Sequence, residues 1–178
     1  MKKITLASLG LIIVLSLSCS EKLDVEKEQA AIKKVIIEET TAFDNQDYEG
    51  IINTLVHDSL LIRLSTGKVE HAEVSGWENM APWYKDFTEA ELSDYSVKRE
   101  RSNWRIKVYQ NSAWAVYDQV TRFTYKGIAD DRTTREIRFL EKVDGEWKIV
   151  MLQVIYVSSY EVDEILEYSI YQDEEVEE

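Results

Sequence analysis

Residues 133–158, TTREIRFLEKVDGEWKIVMLQVIYVS, decide the fold of this chain. Apolar and polar residues alternate on both sides of the pair Asp144 and Gly145, which predicts two strands, Thr133–Val143 and Glu146–Ser158. An Asp-Gly pair favours the two-residue type I′ turn, because the twist of that turn matches the twist of antiparallel strands. The segment is therefore predicted to be a β-hairpin.

Two segments that precede this hairpin show the same alternation. Tyr95–Tyr109 and Ala113–Lys126 are each long enough for an extended strand, and Asn111 and Ser112 mark a turn between them. Residues 127–131 are predicted to be a looser loop. The pattern thus predicts four consecutive antiparallel strands.

The N-terminal part of the chain is predicted to be mainly helical. Apolar residues recur at helical spacing over Asp24–Asp44, which predicts a long amphipathic helix. Asp47 can cap a second, short helix. Leu60–Leu64 is apolar and ends in turn-forming residues, so it is predicted to be the first strand.

A third helix is predicted from Ser75, because Glu78 three residues later completes a capping box. Pro82 lies inside this segment and should kink the helix or move its start towards Ala81. The predicted order is two helices, a strand, a helix and four strands, which is an α+β arrangement.

The N-terminus is predicted to be an export signal. An apolar run, Ile4–Leu17, follows two lysines, and Leu15–Cys19 resembles a bacterial lipobox with Ser16 where leucine is usual. We expect residues 1–19 to be a lipoprotein signal peptide and Cys19 to carry the lipid (palmitate), which would place the protein in the cell envelope, facing the periplasm or the cell surface. The alternative is an ordinary cleaved signal with an incidental cysteine.

The composition bounds the remaining possibilities. The chain has 34 acidic and 21 basic residues and a net charge of −13, so a nucleic-acid partner is not expected. Its length and hydrophobic content predict one domain over residues 20–160. Residues 161–178 contain many acidic residues and no Lys or Arg, which predicts a solvated tail.

Three segments carry a resemblance to a known family. They are residues 43–58 (FDNQDYEGIINTLVHD), the helix start Gly76–Glu78, and Arg138–Gln153 with its Asp-Gly turn. In order and spacing the chain resembles the nuclear-transport-factor-2-like superfamily over about residues 27–158, especially its SnoaL-like and calmodulin-dependent kinase association-domain members. The resemblance implies a cystatin-like cone. In this fold a strongly curved antiparallel sheet wraps around a long N-terminal helix and two shorter ones, encloses a cavity, and often dimerises through its outer face.

The resemblance also implies positions for site residues. The carboxylate base of ketosteroid isomerase falls on Arg63, which cannot accept a proton, so that isomerase design is not expected. Of two cavity arginines in the kinase association domains, one falls on Arg138 and the other on Gln119. Histidines that the family often has on its last strand are replaced here by Met151 and Gln153.

Strand alternation places Tyr117, Gln119 and Thr121 on one face, where Gln153 could join them in lining a pocket. The alternative is a satisfied polar layer or a dimer surface. For Arg138 the alternation favours a cross-strand ion pair with Asp118 or Glu100 over a pocket position, since its strand neighbours Ile137 and Phe139 look core-facing.

Aromatic residues of the third helix could close the cavity mouth or could simply be core. The two histidines have no metal-ligand spacing, so neither a metal site nor a cofactor is expected. The predicted pocket residues are Arg63, Trp83, Tyr117, Gln119, Thr121, Arg138 and Gln153.

Three functions follow from these residues. The leading hypothesis is a lipid-anchored binding or accessory protein that holds a small, partly apolar ligand or a peptide in the cone. The alternative is a SnoaL-like enzyme, an isomerase, cyclase or hydrolase, using Arg63, Tyr117 or an acid not yet placed. The third is a structural homodimer formed through the outer sheet face that bears Trp114, Val116 and Val120.

Overall fold

The fold consists of one six-stranded sheet with three helices. The computed structural model describes residues 23–67, 71–91 and 95–157. The elements are α1 (Val25–Asp44), α2 (Tyr48–Ile52), β1 (Ile62–Thr66), β2 (His71–Ser75), α3 (Trp77–Glu89), β3 (Tyr95–Val108), β4 (Ser112–Tyr125), β5 (Ile128–Val143) and β6 (Glu146–Tyr156). The strand order in the sheet is β2-β1-β6-β5-β4-β3.

The four-stranded antiparallel meander that the alternation predicted is confirmed: β3 to β6 are sequential antiparallel neighbours. Asp144 and Gly145 have φ of 52° and 87°, as a type I′ turn requires. Lys126 and Gly127 also have positive φ, 51° and 77°. This second tight turn starts β5 at Ile128, so the looser loop predicted over residues 127–131 is wrong.

The two predicted N-terminal helices are confirmed, and their caps explain where they begin. Asp24 accepts a hydrogen bond from the backbone N–H of Lys27 at 3.1 Å, and Asp47 accepts one from Gly50 at 3.0 Å. The apolar stripe of α1 is fully buried at Ile32 and Ile36. This stripe turns α1 towards the concave face of the sheet, where it contacts β3 and β6.

The third helix begins differently from the prediction. Ser75 is the last residue of β2 and does not cap the helix; the N-cap is Gly76, which has a φ of 79° and no side chain. Backbone groups replace the capping box, because the N–H of Trp77 donates to the Asp58 carbonyl at 2.9 Å. Pro82 lies inside α3 and does not delay its start.

The edge of the sheet was only partly predicted. β1 begins two residues later than expected, and β2 was not predicted. β1 pairs antiparallel with β2 and parallel with β6. The parallel pairing brings Arg63 next to Leu152 of β6, on the concave side of the sheet.

The core lies between the helices and the concave face. Its fully buried members come from α1, α2, α3, β4, β5 and β6, and from Leu61, which precedes β1. Within the described ranges, no helix is long and apolar enough to cross a membrane. The α+β cone that the sequence predicted is confirmed.

Candidate functional site

A cavity of about 340 Å³ opens between α1 and the concave face of the sheet. Its wall combines charged, hydroxyl and aromatic side chains from six elements. The lining residues are Glu39, Thr40, Phe43, Arg63, Tyr95, Arg99, Gln119, Thr121, Phe123, Arg132, Thr134, Glu136, Arg138, Val154 and Tyr156.

Strand register sets the depth of each residue in this cavity. Arg99, Thr121 and Arg132 are neighbours across three strands and form the outer level. Six residues further along β5, Arg138 lies beside Leu152, which lies beside Arg63, and this row forms the inner level. The floor is the Arg138 end of this level, together with Glu39 and Gln119. Residues of one row share a face, because side chains alternate along each strand and neighbouring strands are in register.

Glu136 is the centre of a hydrogen-bond network at the floor. Its Oε2 accepts from Arg138 Nη1 at 2.9 Å, and its Oε1 accepts from Thr134 Oγ1 at 2.7 Å and from Gln119 Nε2 at 3.3 Å. Glu39 Oε2 lies 4.0 Å from Arg138 Nη2. Burial alone would lower the pKa of Arg138, but the surrounding acidic groups raise it, so the guanidinium stays charged.

The two arginines of the outer level are held by carboxylates outside the cavity lining. Arg99 makes a bidentate pair with Asp44, with N···O distances of 2.8 and 2.6 Å. Burial lowers the pKa of Arg99, but the hydrogen bond with Asp44 and the charges of Asp44, Glu39 and Glu136 together more than offset this, so the pKa is raised. Arg132 pairs with Asp130 at 3.1 Å. Each of these two guanidinium groups therefore already has a carboxylate partner.

Arg63 is held by aromatic rings instead. Its Cζ lies 5.2 Å from the centre of the Trp83 ring and 5.9 Å from that of Phe43, which is cation–π distance. Among the described residues, no carboxylate lies within 4.0 Å of its guanidinium. Burial, followed by the charge of Glu39, raises the pKa of nearby Tyr84 to about 12. That phenol therefore stays neutral and gives Arg63 no counter-charge.

The structure corrects the interpretation of Arg138 as one member of a surface ion pair. Arg138 is buried in the cavity floor, whereas its neighbour Phe139 points outwards and is 45% exposed. The expected partners bind other arginines on the outer face: Asp118 pairs with Arg135, and Glu100 pairs with Arg122.

Of the other predicted pocket residues, Arg63, Gln119 and Thr121 line the cavity. Tyr117 lies behind the wall, fully buried and stacked on Trp104 at 4.2 Å. Burial raises its pKa to about 12. Trp83 supports Arg63 from outside the lining.

Gln153 does not face the cavity. It pairs with Ile137, which lies on the convex side of β5. A register shift between Phe139 and Leu140 changes the alternation along β6, so counting residues from the turn gives the wrong face. Only the backbone carbonyl of Gln153 reaches the site, where it accepts from Arg138 Nη1 at 3.4 Å.

Sequence reasoning missed five lining residues that carry the chemistry of the site. Two signals could have found three of them: a glutamate on the apolar stripe of α1, and the alternating run of polar residues that ends at Arg138 in β5. The missed residues are Glu39, Thr40, Arg99, Arg132 and Glu136. In the part of the chain that the structure describes, no cluster of His, Cys, Asp and Glu could hold a metal ion.

Comparison with known proteins identifies the fold. No family model matches the sequence, and no curated protein matches it either. Solved structures do match. A ketosteroid isomerase-like protein from Erwinia carotovora atroseptica is 18% identical with a TM-score of 0.55, covering 74% of this chain and 98% of that chain.

Two further structures agree. An NTF2-like protein with a cystatin-like fold from Novosphingobium aromaticivorans is 15% identical with a TM-score of 0.60, covering 84% of this chain and 94% of that chain. An NTF2-like protein of unknown function from Shewanella oneidensis is 19% identical with a TM-score of 0.55, covering 72% and 98% respectively. This chain therefore has the cystatin-like fold of the nuclear-transport-factor-2-like proteins.

Proposed function

We propose that the protein binds a small, partly apolar carboxylic acid in the cone cavity. The observation that carries the proposal is the state of Arg63. Three of the four lining arginines face a carboxylate of the protein, whereas Arg63 lies on aromatic rings with no carboxylate within 4.0 Å among the described residues. A guanidinium presents paired donors that match the two oxygens of a carboxylate.

The rest of the wall suits the body of such a ligand. Phe43, Tyr95, Phe123 and Tyr156 supply aromatic surface to the cavity wall. Ligand pockets typically measure about 300–1,000 Å³, so a cavity of about 340 Å³ fits a molecule with one ring. The protein's overall net charge of −13 does not favour anions, so selectivity has to come from this local arginine.

Calorimetry with 3-phenylpropionate and its neutral amide tests the proposal. The acid should bind and the amide should bind at least about tenfold more weakly, because a hydrogen-bonded charge is worth roughly 1.5–3 kcal/mol. Arg63→Gln should remove this preference. Arg122→Gln is the matched control, since Arg122 lies on the convex face beside Glu100. Equal binding of acid and amide would contradict the proposal.

Glu39 supports a second candidate function, an enzyme that moves a proton on its ligand. Its carboxylate lies in the cavity floor, and its Oε2 accepts no hydrogen bond from the part of the chain that the structure describes. A carboxylate in this position can take a proton from carbon next to a carbonyl and return it elsewhere, which is isomerase chemistry. Tyr117 is a poor acid for this step, since burial raises its pKa to about 12.

Deuterium exchange separates the two candidates. An aryl 2-oxo acid incubated with the protein in D₂O should lose its α-proton signals in the NMR spectrum faster than in buffer if Glu39 acts as a base. Glu39→Gln should return the rate to that of buffer. Tight binding without any acceleration would favour a binding protein.

We propose further that Cys19 carries a lipid that anchors the protein in the cell envelope. Cys19 lies outside the described residues, and the support is the lipobox-like segment Leu15–Cys19. Labelling cells with an alkyne fatty acid should tag the wild-type protein and leave Cys19→Ser unlabelled. A labelled Cys19→Ser variant would place the lipid elsewhere.

The convex sheet face supports a homodimer as a further proposal. An apolar groove there is lined by Leu60, Tyr109, Trp114, Phe139 and Met151, and Leu60 and Phe139 are exposed. Light scattering on the mature protein should give twice the monomer mass, and Phe139→Glu should reduce it to the monomer mass. A wild-type monomer would contradict this proposal.

A further inference from the structure

Three side chains of the cavity floor each keep one polar atom without a hydrogen-bond partner among the described residues. These atoms are Glu39 Oε2, Gln119 Oε1 and Arg138 Nε. The three side chains are 2–3% exposed, and all three line the cavity. Buried polar groups are normally hydrogen-bonded, because an unpaired group loses its hydrogen bonds to water and gains none in the protein. Three such atoms in one small region therefore indicate the chemistry of a missing group.

The inventory of these atoms selects one kind of group. Carboxylate and amide oxygens only accept hydrogen bonds, and an arginine Nε only donates. A hydroxyl does both: it can donate to Glu39 or Gln119 and accept from Arg138. An ammonium has no acceptor for Arg138, and a second carboxylate would be repelled by Glu39 and Glu136, whose Oε2 already faces Arg138 Nη1.

The fold also sets the distance between this polar floor and Arg63. Arg63 and Arg138 lie in the same row of the sheet, with only β6 between their strands. Neighbouring strands are about 4.8 Å apart, so the two backbones are about 10 Å apart. One aromatic ring with a short acidic side chain spans this gap.

We propose that the ligand is a hydroxy acid whose carboxylate binds Arg63 and whose hydroxyl, at the opposite end, binds the floor formed by Glu39, Gln119 and Arg138. This inference rests on the proposed binding of a carboxylic acid and adds the class of that acid. Small rotations of the terminal groups bring the unpaired atoms to the hydroxyl, because carboxylate and amide torsions have broad wells.

Three acids of nearly equal size test the proposal by calorimetry: 3-phenylpropionate, 3-(4-hydroxyphenyl)propionate and 3-(2-hydroxyphenyl)propionate. The 4-hydroxy acid should bind at least about tenfold more tightly than the parent acid, as expected for a buried site that keeps polar groups for the hydroxyl. The 2-hydroxy acid is the matched control. Its hydroxyl lies near the carboxylate end and should bring no gain.

Variants assign the preference to the floor. Glu39→Met should bring the affinity ratio of the 4-hydroxy acid to the parent acid close to one, whereas Arg63→Gln should weaken both acids and keep their ratio. If Glu39→Met does not fold, the wild-type ratios of the three acids decide alone.

The failures are distinguishable. If the three acids bind wild type equally well, the hydroxyl inference is overturned and the proposed function stands. If the 2-hydroxy acid gains as much as the 4-hydroxy acid, the assignment to the floor is overturned. If none of them binds, both proposals fall.

Discussion

The two faces of strand β5 carry the same chemistry in opposite surroundings. On the concave face, Arg138 and Glu136 lie 2.9 Å apart with side chains that are each 3% exposed. On the convex face, Arg135 and Asp118 also lie 2.9 Å apart, with side chains that are 50% and 25% exposed. The two pairs therefore have the same N···O distance but differ in burial, and we expect them to differ in their contribution to stability.

Water explains the difference. On the convex face, a charge that loses its partner is hydrated again, so the pair contributes little to stability. In the floor, Arg138 has given up its hydration, and its charge is tolerated because Glu136 and Glu39 face it. Loss of one floor partner alone would therefore leave a buried charge uncompensated, which costs more than the same loss on the convex face.

Removing the floor carboxylate should have the largest effect. Glu136→Ala leaves Arg138 charged and without its 2.9 Å partner, and also removes the acceptor of Thr134 and Gln119. The free energy of unfolding should fall by about 3–5 kcal/mol, as for other broken buried pairs. Urea denaturation measures this loss. A loss no larger than that of Asp118→Ala would show that burial does not govern these pairs.

The Arg99 and Asp44 pair lies between the two extremes, with both side chains 16% exposed. Asp44→Asn replaces a bidentate charged pair and should lower the free energy of unfolding by about 1.5–3 kcal/mol. Arg99 lines the cavity, so losing its counter-charge should also tighten the binding of an aryl acid several-fold. Calorimetry and urea denaturation of this one variant should thus move in opposite directions. Weaker binding would show that the charge of Arg99 does not attract the ligand and that Arg99 has only a structural role.

Glu28 offers a partly buried pair whose contribution depends on pH. Its carboxylate accepts from Lys142 Nζ at 2.6 Å and from Trp147 Nε1 at 2.7 Å. The hydrogen bond from Lys142 is the main cause that lowers the pKa of Glu28 below its ordinary value of 4.5, and burial partly opposes it.

A carboxyl with a lowered folded-state pKa stabilises the fold fully above its unfolded value and loses this contribution as pH falls through the folded value. Glu28→Gln should therefore cost about 1 kcal/mol at pH 7, and the gap to wild type should close below pH 4.5. Thermal melts from pH 3 to 7 measure it. Glu38→Gln, which breaks an exposed pair with Lys34, is the control. A gap that widens in acid would contradict the assignment.

The sequence predicted the long strands well because their residues alternate over more than ten positions. It missed β2, since this edge strand has only five residues and only Val74 is half-buried, so its alternation is too short and too weakly apolar to indicate a strand. The helix start at Gly76 was also hidden, because its first N–H groups bind backbone carbonyls of a distant loop.

The site was harder to predict than the fold for a physical reason. Along β5, apolar Phe139 faces outwards and charged Arg138 faces the core, which reverses the usual rule for assigning faces. The reversal depends on tertiary contacts as well as on the strand, because Arg138 is balanced by Glu39 of α1 in addition to Glu136 two residues away. The prediction for Gln153 was wrong for another reason: a register shift changes which residues of β6 face the cavity.

The convex pair should show the smallest effect and the strongest response to salt. Asp118 accepts from Arg135 Nε at 2.9 Å and from Asn103 Nδ2 at 2.8 Å, in contact with solvent. Asp118→Asn should lower the free energy of unfolding by less than about 1 kcal/mol. In about 1 M NaCl the Debye length falls to roughly 3 Å, so the difference from wild type should vanish. The decrease in the free energy of unfolding caused by Glu136→Gln should remain largely unchanged at the same salt concentration, because ions do not enter the cavity floor. If both losses disappear in salt, the floor is hydrated, and the unpaired atoms of Glu39 and Arg138 are already satisfied by water.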